Sequence, residues 1–433
     1  MKKTIMKVVL ATGMCCLVSF VASAQLVQMR LVSSAYGWQQ QDTIGQSSNH
    51  LLGYQTVQLS LSGERFSFHT YLQGFNEFIG PLKNKPETRF YDFYLKYAKL
   101  FDLIDASVGR VPVFAGVGNG IVDGGIVSAR FLDTHLKVLG YGGALPETNE
   151  KFELIGDTKH NNMFGGQITA SPSDYVTASV SYMRKNIQPD AYWAMRAYDS
   201  TYTLQNVEIT PMMTAEECLS GDVNLDYYRI SGYARYDRDL LQKQMSRVQL
   251  FVRLKLTEPL SVTGEYLQRA PLLSYNSIFW VFAYSTLSEY DAGVEYALNK
   301  DVQVYGKYGF VSYGGGDQTS RVTLGSNTKY ISANLAWNTG FGGQLAAVSA
   351  NAGYPLFNNM LTPMLIASYA QYKLSNDAPL SNALSVGAGT VYRPLRELSF
   401  DAQVQWITNT IYNKDVRVFL RASYFFSHQL NLF

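Results

Sequence analysis

Charged side chains in this sequence recur two or four positions apart inside runs that alternate apolar and polar residues. Arg253 and Lys255 stand two apart. Glu265 and Arg269, Asp291 and Glu295, and Arg417 and Arg421 stand four apart, while Lys307 and Asp401 each occupy the same phase of their own run. On an extended strand that spacing places side chains on one face. A face built from Arg, Lys, Asp and Glu does electrostatic work rather than bond-making. Lining a water-filled passage, it filters ions by sign and orients dipolar solutes. The same parity adds Lys96, Arg110, Arg130 and Lys137 to the basic side and Asp92 to the acidic side, giving ten basic against five acidic residues. Much of this must be a ladder of mutually neutralising charges. The surplus points weakly to anions.

Other constellations carry less. Gly116-Val117-Gly118-Asn119-Gly120 lacks the Lys and the following helix of a nucleotide loop. Asp222-Val223-Asn224-Leu225-Asp226 has the first oxygen spacings of a calcium loop, without its Gly and closing Glu. Ser67 and His69 share a strand face, as do Asp133 and His135, yet neither pair brings a nucleophile, a base and an orienting group together. No G-x-S-x-G elbow and no H-E-x-x-H motif is present. An enzyme is therefore not expected, and no cofactor or metal is expected. Cys218 follows the export-type leader as a lone thiol and is read as a free loop cysteine.

The elements that carry the charged face are strands. Val248 to Leu256, Tyr290 to Leu298, Phe400 to Trp406 and Val416 to Tyr424 all alternate with period two. Across seven such windows (90–98, 248–256, 262–269, 290–298, 302–310, 400–408 and 416–424) the twelve charged residues all lie in the polar phase. The apolar phase is crowded with Tyr and Phe, often near strand ends. A soluble sandwich also alternates, but aromatic girdles and charge exclusion from one face are the pattern of a transmembrane β-barrel.

Composition agrees. Of 433 residues only 16% are charged, against about 25% in ordinary globular chains. Aromatics reach 14%, with 31 Tyr and 23 Phe. Met1-Lys2-Lys3, an apolar run to Val21 and Ala22-Ser23-Ala24 read as a signal peptide over 1–24, cleaved near Ala24/Gln25. Its loss removes three Lys, leaving 33 basic and 34 acidic residues, a balance of −1. Nucleic acid is excluded as a partner.

Residues 25–433 read as one all-β domain, a transmembrane antiparallel barrel. About twenty alternating runs are visible. Short turns are expected at Gly63-Glu64, 99–102, 132–134, 171–174, 257–260, 299–301, Tyr354-Pro355 and 393–395. Short and long connections must alternate. That rule merges 327–352 into one strand and makes 186–246 a long extracellular excursion. The result is about 18 strands, with about 16 as the alternative. No plug-like domain is expected ahead of the first strand near Met29. Phe433 adds weak support as a terminal aromatic. The segment Val111 to Asp123 is read as an apolar, Gly-rich loop folding against the inner wall, setting Asp123 across a constriction from Arg110 and Arg130.

Ala106-Ser107-Val108-Gly109-Arg110-Val111-Pro112-Val113-Phe114-Ala115-Gly116 followed by Asp123-Gly124-Gly125 resembles the Gly-Arg strand and Asp-Gly loop of bacterial outer-membrane porins related to the alginate-export type. The resemblance covers Phe90 to Asp123. It implies about 18 strands in a monomeric or trimeric channel, and it carries over one substrate contact, Arg110. It does not imply polysaccharide export. The function expected is passive diffusion of small polar solutes through an outer-membrane porin of a Gram-negative-type bacterium. The expected partners are outer-membrane lipid and small polar solutes, and a homo-oligomer is left open. An outer-membrane enzyme or a closed barrel serving as an anchor or adhesion scaffold are the alternatives.

Overall fold

A computed structural model describes residues 26–42, 44–80, 87–146, 158–189, 191–197, 203–210, 213–270, 286–375 and 377–429. Residues 1–24, expected to be a signal peptide, and Phe433 lie outside the described residues. The strands are β1 (Leu26–Asp42), β2 (Ser47–Ser62), β3 (Phe66–Ile79), β4 (Glu87–Leu100), β5 (Ile104–Ala115), β6 (Gly118–Phe131), β7 (Leu136–Ala144), β8 (Asn162–Ser173), β9 (Val176–Ile187), β10 (Tyr192–Ala197), β11 (Leu204–Ile209) and β12 (Thr214–Tyr227). They continue as β13 (Ile230–Asp239), β14 (Gln244–Lys255), β15 (Leu260–Arg269), β16 (Leu287–Ala297), β17 (Val302–Tyr313), β18 (Gln318–Thr328), β19 (Ile331–Gly340), β20 (Gly343–Gly353), β21 (Leu361–Lys373), β22 (Ser381–Tyr392), β23 (Leu398–Asn409) and β24 (Tyr412–Gln429).

Each barrel strand pairs antiparallel with its neighbours in the ring. β9 pairs with β12, and β24 pairs back with β1 from Leu26↔Gln429 to Asp42↔Tyr412. The 22-stranded sheet is thereby closed and has no edge, which is what lets strands satisfy every backbone group in lipid. β10 and β11 form a separate two-stranded hairpin between β9 and β12.

The wall has 22 strands where both the parity count and the family resemblance lead to about 18. All eight expected short turns fall between strands on one end of the barrel. Two more exist there, at Tyr228-Arg229 and Lys329-Tyr330. Neither carries the Gly, Pro, Asn or Asp that marks a turn in sequence, although Tyr228 adopts a left-handed φ of 52°. Each unread turn hides one hairpin. Residues 214–239, assigned to the excursion, are the barrel strands β12 and β13. Residues 327–352 are not one strand: β19 and β20 meet at a tight turn through Gly340, Phe341, Gly342 and Gly343.

Register fixes the two faces. Following Cα partners around the ring, Asp401 lies opposite Arg421, Arg421 opposite Ser34, Glu265 opposite Asp291, and Gly293 opposite Lys307. All twelve charged residues of the seven sequence windows share this inner face. The other face exposes Leu250, Val252, Val294, Leu324, Leu335, Val348, Val404 and Leu420. Tyr290 and Tyr296 are exposed on the same outer face six residues apart, about 20 Å along the strand. That separation matches an apolar band about 25 Å tall with aromatic rims. Trp406 is also exposed there, as expected. Tyr91, in the apolar phase of window 90–98 and so expected to face lipid, departs from that expectation. A bulge in the β3–β4 register skips it, and its hydroxyl donates to inward-facing Gln73 at 3.2 Å. One extra residue re-aims one side chain, which a strict period of two cannot foresee.

Candidate functional site: the inner wall

The inner-face charges form separate ion-paired clusters. Lys307 bridges Asp291 at 2.9 Å and Glu265 at 3.6 Å, and Glu265 also accepts from Gln249 at 2.9 Å. Arg321 joins the same cluster, bonding Asp291 at 3.0 Å and Glu289. Arg253 meets Glu295 at 2.6 Å, Arg421 meets Asp401 at 2.8 Å, and Arg417 meets Asp415 at 2.8 Å. Arg130 and Lys96 converge on Asp105 at 2.9 and 3.9 Å. Lys255 turns instead to Glu258 in the β14–β15 turn at 2.7 Å. Arg269 lies directly opposite Arg247 and stays on the inner wall near the end of its strand. Lys137 lies opposite Arg130.

Apart from Arg110, whose register position has the opposite parity, the expected set thus gathers on one face, but the basic surplus shrinks. Sequence reading missed Asp105, Glu289, Arg321 and Asp415. Arg321 belongs to β18, most of which lies before the merged segment 327–352 and outside every charged window. The others share the inward parity of their strands and lie near strand starts, outside the windows.

Charge is distributed unevenly around the ring. From Ile331 to Tyr372 the described residues carry no Asp, Glu, Lys or Arg. The inward positions of β19–β22 include Ser332, Asn334, Ala336, Asn338, Ala347, Ser349, Ser368, Ala370, Ser385 and Gly387, with Leu345, Met364, Ile366 and Tyr372 as the larger ones. This sector is neutral, and most of its side chains are small.

Residues 111–122 are not a loop. They are the outer arms of the β5–β6 hairpin, paired from Val111↔Val122 to Ala115↔Gly118. Two rungs mark where this hairpin leaves the wall. Phe93↔Arg110 is the last β4–β5 pair and Asp123↔Ala144 the last β6–β7 pair. Beyond them β5 and β6 bond only to each other. The freed arm lies across the inner faces of β7–β9. At its tip the Val117 amide donates to Ser181 Oγ of β9 at 3.0 Å. Gly118 sits so close to Tyr141 that a Cβ would overlap the ring hydroxyl, and Gly116 turns the chain at φ 63°. Val113, Ala115 and Val122 are fully buried against Tyr141, Met163, Met183 and Cys218. That packing explains the unusual apolarity of the segment. Cys218 is accordingly a buried strand residue rather than a loop thiol.

Arg110 and Asp123 clasp the departure point. Their register positions face each other, and Nε and Nη2 of Arg110 donate to the two carboxylate oxygens at 2.7 and 2.8 Å. Arg110 Nη1 also donates to the Phe90 carbonyl of β4 at 3.1 Å. The pair shares the parity of outward-facing Val108 and Val127, and Arg110 is 6% exposed. Asp123 is therefore bonded to its rung partner instead of facing Arg110 and Arg130 across a passage. Its carboxylate fixes the arm.

The remaining candidates resolve structurally. His69 uses both ring nitrogens on hydroxyls, Ser60 at 3.1 Å and Ser67 at 3.0 Å, so no carboxylate orients it. His135 meets the Ser171 carbonyl at 2.7 Å, while Asp133 stands in the adjoining turn. Asp222 lies within β12, not in a loop, and accepts from Ser179 Oγ at 2.6 Å. Among the described residues no group of three His, Cys, Asp or Glu is placed to hold a metal ion.

No protein-family model matches the chain, and no curated protein does. Among solved structures the barrel is similar to a mutant of the ferric enterobactin receptor PfeA from Pseudomonas aeruginosa, with TM-score 0.60 over 92% of this chain and 80% of that one at 8% identity. OccAB4 of Acinetobacter baumannii gives TM-score 0.45 over 94% of this chain and 100% of that one at 8% identity. OccK7 of Pseudomonas aeruginosa gives 0.43 over 93% and 99% at 9% identity. The likeness is one of fold: this chain, like the receptor's barrel, is a closed antiparallel β-barrel.

Proposed function

We propose that the chain is an outer-membrane channel for passive diffusion of small polar solutes. The observation that carries this reading is the two-faced closed wall. Every charge of the sequence windows lies inside and a girdled apolar band lies outside. Such a wall places water within the ring and lipid around it. Barrels of about 22 strands enclose a bore wide enough to hold a plug. Here the β5–β6 arm enters that bore and narrows it on the β7–β9 side, leaving the neutral β19–β22 sector facing it across the lumen. The ion-pair network on β14–β18 supplies a transverse field, and solutes pass between a charged and a neutral wall. The inner-wall residues Arg130, Arg253, Glu265, Arg269, Asp291, Glu295, Lys307, Asp401, Arg417 and Arg421 line the pore, and Arg110 with Asp123 hold the constricting arm. Because most charges are paired, ion preference is weak. The hairpin β10–β11 and its flanks form the extracellular excursion, and the residues before Gln25 are a cleaved leader.

Liposome swelling tests this reading. Proteoliposomes of the full chain should swell in arabinose, glycine and small neutral sugars at rates falling with solute size. Substituting Lys307→Gln should change charged-solute entry by about two- to threefold and neutral entry little. Swelling no faster than protein-free liposomes would contradict the proposal.

A further inference from the structure

The inner face of β1–β4 differs from the rest of the wall. Register brings aromatic rings to it in successive tiers. Trp38 stacks on His50 with ring centroids 4.4 Å apart, and Tyr36 adjoins Trp38 at 5.1 Å. Tyr54 faces Phe75 at 6.1 Å, with the Arg89 guanidinium over the Phe75 ring at 4.9 Å. Tyr71 meets Tyr91 at 4.6 Å, where the bulge has turned Tyr91 inward. His69 stacks on Tyr94 at 4.9 Å. Measured on β2, the tiers run from His50 to Ser60, the partner of His69. Ten residues of strand span about 33 Å, close to the full height of a membrane.

Between the rings stand charged and polar side chains. Glu77 Oε2, Arg89 Nε and Asp92 Oδ1 are buried and have no hydrogen-bond partner among the described residues. Asp92 lies in a wall recess of about 410 Å³ shared with Gln28, Arg30, Gln58, His69 and Tyr94. Glu77, Arg89 and Asp92 thus set charged, hydrogen-bonding side chains beside the stacked rings.

We propose that this strip is a track for a neutral linear oligosaccharide, an inference that rests on the channel reading and names its substrate class. Sugar rings present apolar C–H faces that stack on aromatics, and hydroxyl edges that both donate and accept. A hydrocarbon would leave Glu77, Arg89 and Asp92 facing an apolar chain at high cost. An extended peptide seeks a sheet edge, and the closed ring has none. A single small aromatic compound needs one tier, whereas the tiers repeat along the strand. A chain of ring units occupies them in succession, releasing one contact as the next forms.

The test uses the full chain in planar bilayers, with maltohexaose, cellohexaose and mannohexaose as probes and glucose as monomeric control. At least one hexaose should interrupt the open-channel current at concentrations about tenfold below those at which glucose acts. Tyr71→Ala with Tyr91→Ala should weaken that block about tenfold. The apolar but ring-free pair Tyr54→Leu and Phe75→Leu should do the same, while Leu335→Ala on the outer face leaves it unchanged. Calorimetric titration of the same hexaoses into detergent-solubilised protein reads binding without current. Binding without any channel current defeats the channel reading alone. Current that none of the three hexaoses interrupts, or an undiminished block in both ring-deleted variants, overturns the track.

Discussion

Asp123→Ala should destabilise the barrel by about 3–5 kcal/mol in a folding titration into lipid vesicles. The carboxylate accepts both arms of the Arg110 fork at a nearly buried rung. Removing it strands a guanidinium that still holds the Phe90 carbonyl but has lost its counter-charge. Arg110→Ala should cost a similar amount for the reciprocal reason. The double replacement Arg110→Leu with Asp123→Val should recover most of the loss, because two apolar groups replace two charges and leave neither alone. A double variant as unstable as the sum of its parts would show that the rung is held by something other than the pair. The same substitutions free the β5–β6 arm from its anchor, so single-variant currents should also become noisier than those of the parent.

Val252→Arg and Val294→Arg should each cost about 2–4 kcal/mol, whereas Gln249→Arg and Gln303→Arg should cost little. The two valines are exposed on the outer face at the middle of the apolar band. The two glutamines lie on the inner face among groups already facing water. The contrast depends on lipid: in urea-solubilised detergent micelles thin enough to wet the wall, the difference should shrink. Equal losses at both faces in a bilayer would remove the assignment of the outer face to lipid.

Much of this architecture is legible in the sequence because a closed barrel repeats one rule on every strand. Period two plus charge exclusion places Asp291, Lys307 and Asp401 correctly without any coordinate. Turns are legible where chemistry enforces them, as at Ser171-Pro172-Ser173-Asp174. They are not at Tyr228-Arg229 or Lys329-Tyr330, where tight strand pairing on both sides imposes the bend on residues with no turn preference. Those two sites alone turn about 18 strands into 22. The arm shows a different limit. Val111-Pro112-Val113-Phe114-Ala115 reveals burial, and its inward fold follows from that. Its being a paired hairpin does not, since the partner strand begins only two residues beyond a turn at Gly116. Nor does sequence reveal that Arg110 and Asp123, thirteen positions apart, are opposite rungs. The tiered rings of β1–β4 are hidden for a related reason: a bulge, not a period, brings Tyr91 to Tyr71.

Single-channel recording tests the central claim most directly. The full chain should be compared with a variant in which residues 112–121 are replaced by a short Asn-Gly turn. A water-filled ring narrowed by an inward arm predicts stepwise currents from the parent and larger steps from the shortened variant, with both proteins retaining heat-modifiable migration on a gel. Folded protein that yields no steps in either form would contradict the account.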